Sequence, residues 1–69
     1  MLINTEKLNE RIQSSGMTIV ELAEAIGINK STYYRKLKGG GGGFVLWELK
    51  SIIRLLGLNR EDVYEIFLA

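Results

Sequence analysis

Residues 18 to 38 read Thr18-Ile19-Val20-Glu21-Leu22-Ala23-Glu24-Ala25-Ile26-Gly27-Ile28-Asn29-Lys30-Ser31-Thr32-Tyr33-Tyr34-Arg35-Lys36-Leu37-Lys38, and they spell two helices joined by three residues. Thr18 offers a side-chain oxygen to the first free amides of a following helix, and Glu21, three positions on, completes a capping box. Leu22, Ala23 and Ile26 recur at helical spacing and form the inner stripe of a helix over 19 to 26. Gly27 suits the left-handed residue that closes a helix, and Asn29 is the next oxygen-bearing start. Tyr33 and Leu37 are the inward pair of a helix over 30 to 38. Gly27, Ile28 and Asn29 allow only a tight turn, so the unit at 18–38 reads as a helix-turn-helix. Small Ala23 permits a close crossing, and Ile28 plugs the turn into the core.

The same punctuation extends outward in both directions. Asn4 and Asn59 are further helix starts, while Gly16, Gly39 and Gly57 close apolar-periodic segments. An apolar residue precedes each cap and another lies five positions later: Ile3 with Leu8, Met17 with Leu22, Ile28 with Tyr33, Leu58 with Val63. These are hydrophobic-staple pairs. Further helices are therefore predicted over 5 to 15, with Leu8 and Ile12 inward, and over 60 to 67, with Val63, Ile66 and Phe67 inward. A helix over 45 to 56 carries Leu46, Leu49, Ile53 and Leu56 at helical spacing with Ile52 alongside; as the most apolar, it is expected to be central. No strand pattern competes, so the fold class is all-α, five compact helices. Five glycines at 39–43 make a loop expected to be mobile and to lower stability.

Length and composition narrow the function. A chain of 69 residues is one domain, 1–69, with no room for a second core. With neither cysteine nor histidine, the common nucleophile, neutral-pH base and zinc ligands are missing, so an enzyme is disfavoured and no metal or cofactor is expected. The carboxylate groups Glu21 with Glu24, and Glu61 with Asp62 and Glu65, suit capping and solvated helix faces. No apolar run approaches the roughly 20 residues of a membrane span, and no signal peptide is visible, so a cytoplasmic protein without membrane contact is expected. Because nothing follows the fifth helix, neither a sensor domain nor a small-molecule ligand is expected.

Charge is distributed unevenly along a chain of net charge +1. Residues 1 to 24 set Lys7 and Arg11 against Glu6, Glu10, Glu21 and Glu24, for −2. Residues 25 to 47 carry Lys30, Arg35, Lys36 and Lys38 and no acid, for +4. Residues 48 to 69 come to −1. One basic cluster on a nearly neutral chain suits a polyanion at one surface, although a solvated helix face has the same composition.

At 100° per residue, Ser31, Tyr34, Arg35 and Lys38 share the face opposite Tyr33 and Leu37, with Lys30 at the helix tip. Donors, a guanidinium and an aromatic ring without a carboxylate suit a major groove. Lys30, Ser31, Tyr34 and Arg35 are the candidate base contacts, Arg35 pairing with guanine O6 and N7. Candidate phosphate contacts are the Thr18 hydroxyl, the Ile19 amide at the positive end of its helix, Lys36 and Lys38.

The stretch from Met17 to Leu37 resembles the helix-turn-helix of the phage repressor and Cro (Xre-type) family, and the five-helix layout extends that resemblance over the whole chain. It implies a lambda-repressor-like domain that regulates transcription, typically as a repressor binding a short, roughly palindromic double-stranded DNA operator as a dimer. It also implies base reading by Lys30, Ser31, Tyr34 and Arg35, and phosphate holding at Thr18 and Ile19. Two features depart from the family pattern. Lys36 stands where many members have an apolar residue three after Tyr33, and Leu37 takes that role, so a slightly rotated recognition helix is expected. Val45 sits where a Ser or Thr commonly caps the fourth helix, and five glycines precede Phe44. A homodimer would use the C-terminal stretch Ile66-Phe67-Leu68, with Trp47 or Leu55; the alternative is that Phe67 completes the core. The competing reading is a helical protein-interaction domain whose basic helix docks an acidic partner; its affinity would respond more gently to salt than binding through phosphates.

Overall fold

The computed structural model describes residues 3–39 and 43–68. Helix α1 spans Thr5–Ser15, α2 Ile19–Ala25, α3 Lys30–Lys38, α4 Leu46–Leu56 and α5 Arg60–Val63, and a π-helical turn follows over Tyr64–Leu68. No strand occurs among the described residues. The expectation of a mobile glycine loop falls largely on residues 40 to 42, which lie outside them.

Local chemistry sets the boundaries. The side chains of Asn4, Thr18, Asn29 and Asn59 accept from the amides of Lys7, Glu21, Thr32 and Asp62 respectively, so all four expected caps are made. Gly27 adopts φ +85°, its amide donates to the Glu24 carbonyl at 3.1 Å, and the Ile28 amide donates to the Ala23 carbonyl at 3.0 Å. That double bond pattern is a Schellman turn, which turns the chain sharply and fixes the angle between α2 and α3. Gly39 differs from expectation. Its φ of −80° is right-handed, and its amide bonds to the Leu37 carbonyl, so α3 ends by tightening and needs no left-handed residue there.

The inner stripes of α1, α2 and α3 meet in one apolar cluster that also holds Ile3, Phe44, Ile52, Leu58, Ile66 and Phe67. Tyr33 is fully buried within it and packs edge-on against Phe44, with ring centroids 5.7 Å apart. Helix α3 is thus anchored from behind by its largest buried side chain.

Helix α4 keeps its predicted inner face except at its first residue, and buries two polar side chains beside it. Leu46 is 66% exposed, whereas Glu48, Ser51 and Ile52 are buried, with Leu49, Ile53 and Leu56 partly so. Glu48 is buried in an ion pair: Lys36 Nζ donates to both oxygens of its carboxylate, at 2.7 and 2.9 Å. A carboxylate paired in this way can face inward. Ser51 is satisfied within the helix, its hydroxyl donating to the Trp47 carbonyl at 2.9 Å. The most apolar helix therefore exposes much of its apolar surface, including Trp47 and Leu55.

The C-terminal helix also differs from the single α-helix predicted over 60 to 67. From Tyr64 it widens into the π-helical turn, which brings the sequence neighbours Ile66 and Phe67 both into the core. The Asn4 amide donates to the Ile66 carbonyl at 2.8 Å, and the pairs Lys7–Glu65 and Arg11–Asp62 tie α1 to this end of the chain. No described helix is long and apolar enough to cross a membrane.

Candidate nucleic-acid interface

The candidate interface is built on α3, whose position is set from three sides. Behind it lies the Tyr33 anchor, before it the Schellman turn at Gly27, and beside it the Lys36–Glu48 pair. A Cβ on Gly27 would lie 3.5 Å from the indole of Trp47, so α4 also rests against this turn.

On the outward side, Lys30, Ser31, Tyr34, Arg35 and Lys38 are all exposed, and Thr32 is partly so. None of Lys30, Arg35 and Lys38 forms an ion pair among the described residues. The Lys30 ammonium stands 5.9 Å from the centre of the Tyr34 ring, one helical turn on, a spacing at which a cation and a π face attract. Arg35 Nη2 donates to Thr32 Oγ1 at 3.3 Å, which holds the guanidinium along the helix. Their mutual placement is that of a single donor-rich strip.

The two remaining phosphate candidates from α2 lie at its N-terminus. The Thr18 hydroxyl accepts from the Glu21 amide at 3.1 Å, and the Thr18 amide donates to Glu21 Oε1 at 2.9 Å. The hydroxyl proton is thereby left for an outside acceptor, and Ile19 follows as the first helical residue with its side chain half-buried. The Glu21 carboxylate is occupied in the cap.

Lys36 is placed differently from the other cations. Its side chain is only 21% exposed and its ammonium is held by Glu48, so it faces the fold while Arg35 and Lys38 face out. Burial raises the Glu48 carboxyl; the Lys36 hydrogen bond, the Val45 amide and the Lys36 charge outweigh burial and hold it below the ordinary glutamate value. Glu48 escaped the sequence reading, though its place three residues after the helix start, where a capping carboxylate belongs, was a signal. Val45 supplies no side-chain acceptor, but its amide donates to Glu48 Oε1 at 2.9 Å.

The C-terminal candidates for self-association separate into two kinds. Ile66 and Phe67 are core residues, 1% and 5% exposed, which corrects their assignment to a contact surface. Tyr64 and Leu68 are 59% and 66% exposed. Among the described residues no group of three or more His, Cys, Asp or Glu side chains gathers to hold a metal.

Compared with known proteins, residues 7–67 match the family model described as the Cro/C1-type HTH DNA-binding domain. No curated protein and no solved structure matched the chain.

Proposed function

We propose, on the premise that the chain belongs to the Cro/C1-type helix-turn-helix family and is a DNA-binding domain, that it acts as a sequence-specific repressor of the phage type. Helix α3 enters the major groove of a double-stranded operator. The observation that carries this reading is its outward strip, solvent-facing and without a carboxylate, in which Lys30, Arg35 and Lys38 have no ion-pair partner among the described residues.

Roles follow from reach. Arg35, in the middle of the strip, presents a planar fork suited to guanine O6 and N7. Ser31 and Lys30, near the helix start, meet base edges at the entering end, and the Tyr34 ring meets a thymine methyl. Lys38, the Thr18 hydroxyl and the Ile19 amide hold phosphates on either side of the groove. Lys36 does not neutralise a phosphate, because its ammonium is bound by Glu48.

The active form is a homodimer joined through Leu68 with Trp47 or Leu55, the candidates for self-association that the fold leaves exposed. One copy carries one recognition helix and measures 27 Å at its longest, whereas half-sites repeat at about 34 Å. Two copies are therefore needed for a palindromic operator. Selection of bound duplexes from a random pool tests these claims together. A recovered motif with two inverted halves one helical turn apart supports them; an unordered pool would overturn the sequence-specific reading.

A further inference from the structure

Lys36 and Glu48 lie on opposite sides of the five-glycine run, one on α3 and the other on α4. A glycine run restrains backbone direction less than any other connection of its length. The N-terminal end of α3 is fixed by the Gly27 turn. Its C-terminal half, which presents Arg35 and Lys38, takes its restraint from side chains.

Those side chains form a continuous cluster. The Lys36 ammonium bridges both oxygens of Glu48, which is only 4% exposed and also accepts from the Val45 amide. The same ammonium lies 5.8 Å from the centre of the Phe44 ring. The Phe44 ring packs edge-on to Tyr33, whose ring is 5.8 Å from that of Tyr34 on the outward strip. A Cβ on Gly43 would meet Lys36 Cγ at 3.3 Å, so the chain entering α4 runs against the lysine stem. Paired buried charges contribute little net stability compared with apolar residues of the same volume, but they permit few geometries.

We infer that Lys36 and Glu48 are positioning residues, a clamp that sets the angle at which α3 meets DNA, so that Glu48 governs sequence choice without touching the duplex. The inference rests on the major-groove reading of α3. Recognition groups work within about 0.5 Å and 10–20° of the productive geometry, so a change in the angle of α3 is read out as lost discrimination. Lys36 then acts through Glu48 and leaves phosphate neutralisation to Lys38.

The test is the double variant Lys36→Met/Glu48→Met, an apolar replacement of the pair that keeps core volume. Affinities are measured for the duplex that the unsubstituted chain selects and for a scrambled duplex, each over a series of salt concentrations. Glu48→Gln, nearly isosteric and able to accept from the Val45 amide, is measured in parallel in case the double variant does not fold. Expected is a loss of discrimination of roughly tenfold, the size of one misplaced bidentate base contact, with the slope of log affinity against log salt unchanged. Undiminished discrimination in the folded variants would overturn the clamp, and so would a slope smaller by about one, which would make Lys36 a phosphate ligand. If the unsubstituted chain itself fails to discriminate, the major-groove reading falls first, and the clamp with it.

Discussion

The hydroxyl of Tyr33 is buried and has no hydrogen-bond partner among the described residues, while its ring anchors the back of α3. Burial, with a smaller contribution from Tyr34, pushes its pKa up to about 12. A raised value means that the ionisation of this phenol leaves stability unchanged below its unfolded pKa near 10, and that stability falls as pH climbs from there toward 12, because the unfolded chain gives up the proton first. Tyr33→Phe removes both the unpaired group and its ionisation. The variant should be as stable as the parent or up to about 1 kcal/mol more stable at neutral pH, and should lose less stability between pH 10 and 12; urea melts across that range measure both. On the opposite side of the same helix, Arg35→Ala should cost about 1–3 kcal/mol on the selected duplex and relax its sequence choice. Lys38→Ala should weaken all duplexes evenly and lower the salt slope by about one. Titrations against selected and scrambled duplexes separate the two roles, and equal losses for Arg35→Ala on both would remove it from the base-reading set.

At the scale of elements, α4 carries the clearest defect. Its N-cap Val45 is exposed, extended at φ −88° and ψ 162°, and offers no side-chain oxygen, although Glu48 already accepts from its amide. Val45→Thr keeps the shape and completes the reciprocal cap, and should add about 1 kcal/mol, read as a rise of roughly 4–8 °C in Tm. The other four starts were legible in sequence because a cap and a staple are local: Asn4 and Lys7, or Thr18 and Glu21, are three residues apart and need no knowledge of the fold. The outward strip of α3 was legible for the same reason, once Tyr33 and Leu37 fixed its back. What could not be read was set by distant partners. Leu46 matched the apolar period of α4, but the inward turn of Glu48 depends on Lys36, twelve residues earlier in another helix. The period over 60 to 67 gave no sign of the π-helical turn, whose Ile66 carbonyl is taken by Asn4 at the other end of the chain.

For the whole molecule, ion pairs between α1 and the C-terminal segment close the fold. The Arg11 hydrogen bond, helped by the Asn59 amide, holds the Asp62 carboxyl below its ordinary value, and Glu48 is likewise lowered by the groups that outweigh its burial. Depressed carboxylates contribute stability that is present above their unfolded pKa values, near 4, and is lost as pH falls through the folded ones. Thermal melts should therefore show Tm holding from pH 7 to about 5 and falling below about 4, with a smaller fall in the Asp62→Asn variant. The central claim is that the outward face of α3 is the surface that meets DNA. It is tested most directly by mapping backbone amide shifts in NMR spectra as the selected duplex is added. The largest changes are expected at Lys30, Ser31, Tyr34, Arg35 and Lys38, with a second group at Thr18 and Ile19; changes centred on α1 or on the exposed side of α4, with α3 undisturbed, would contradict it.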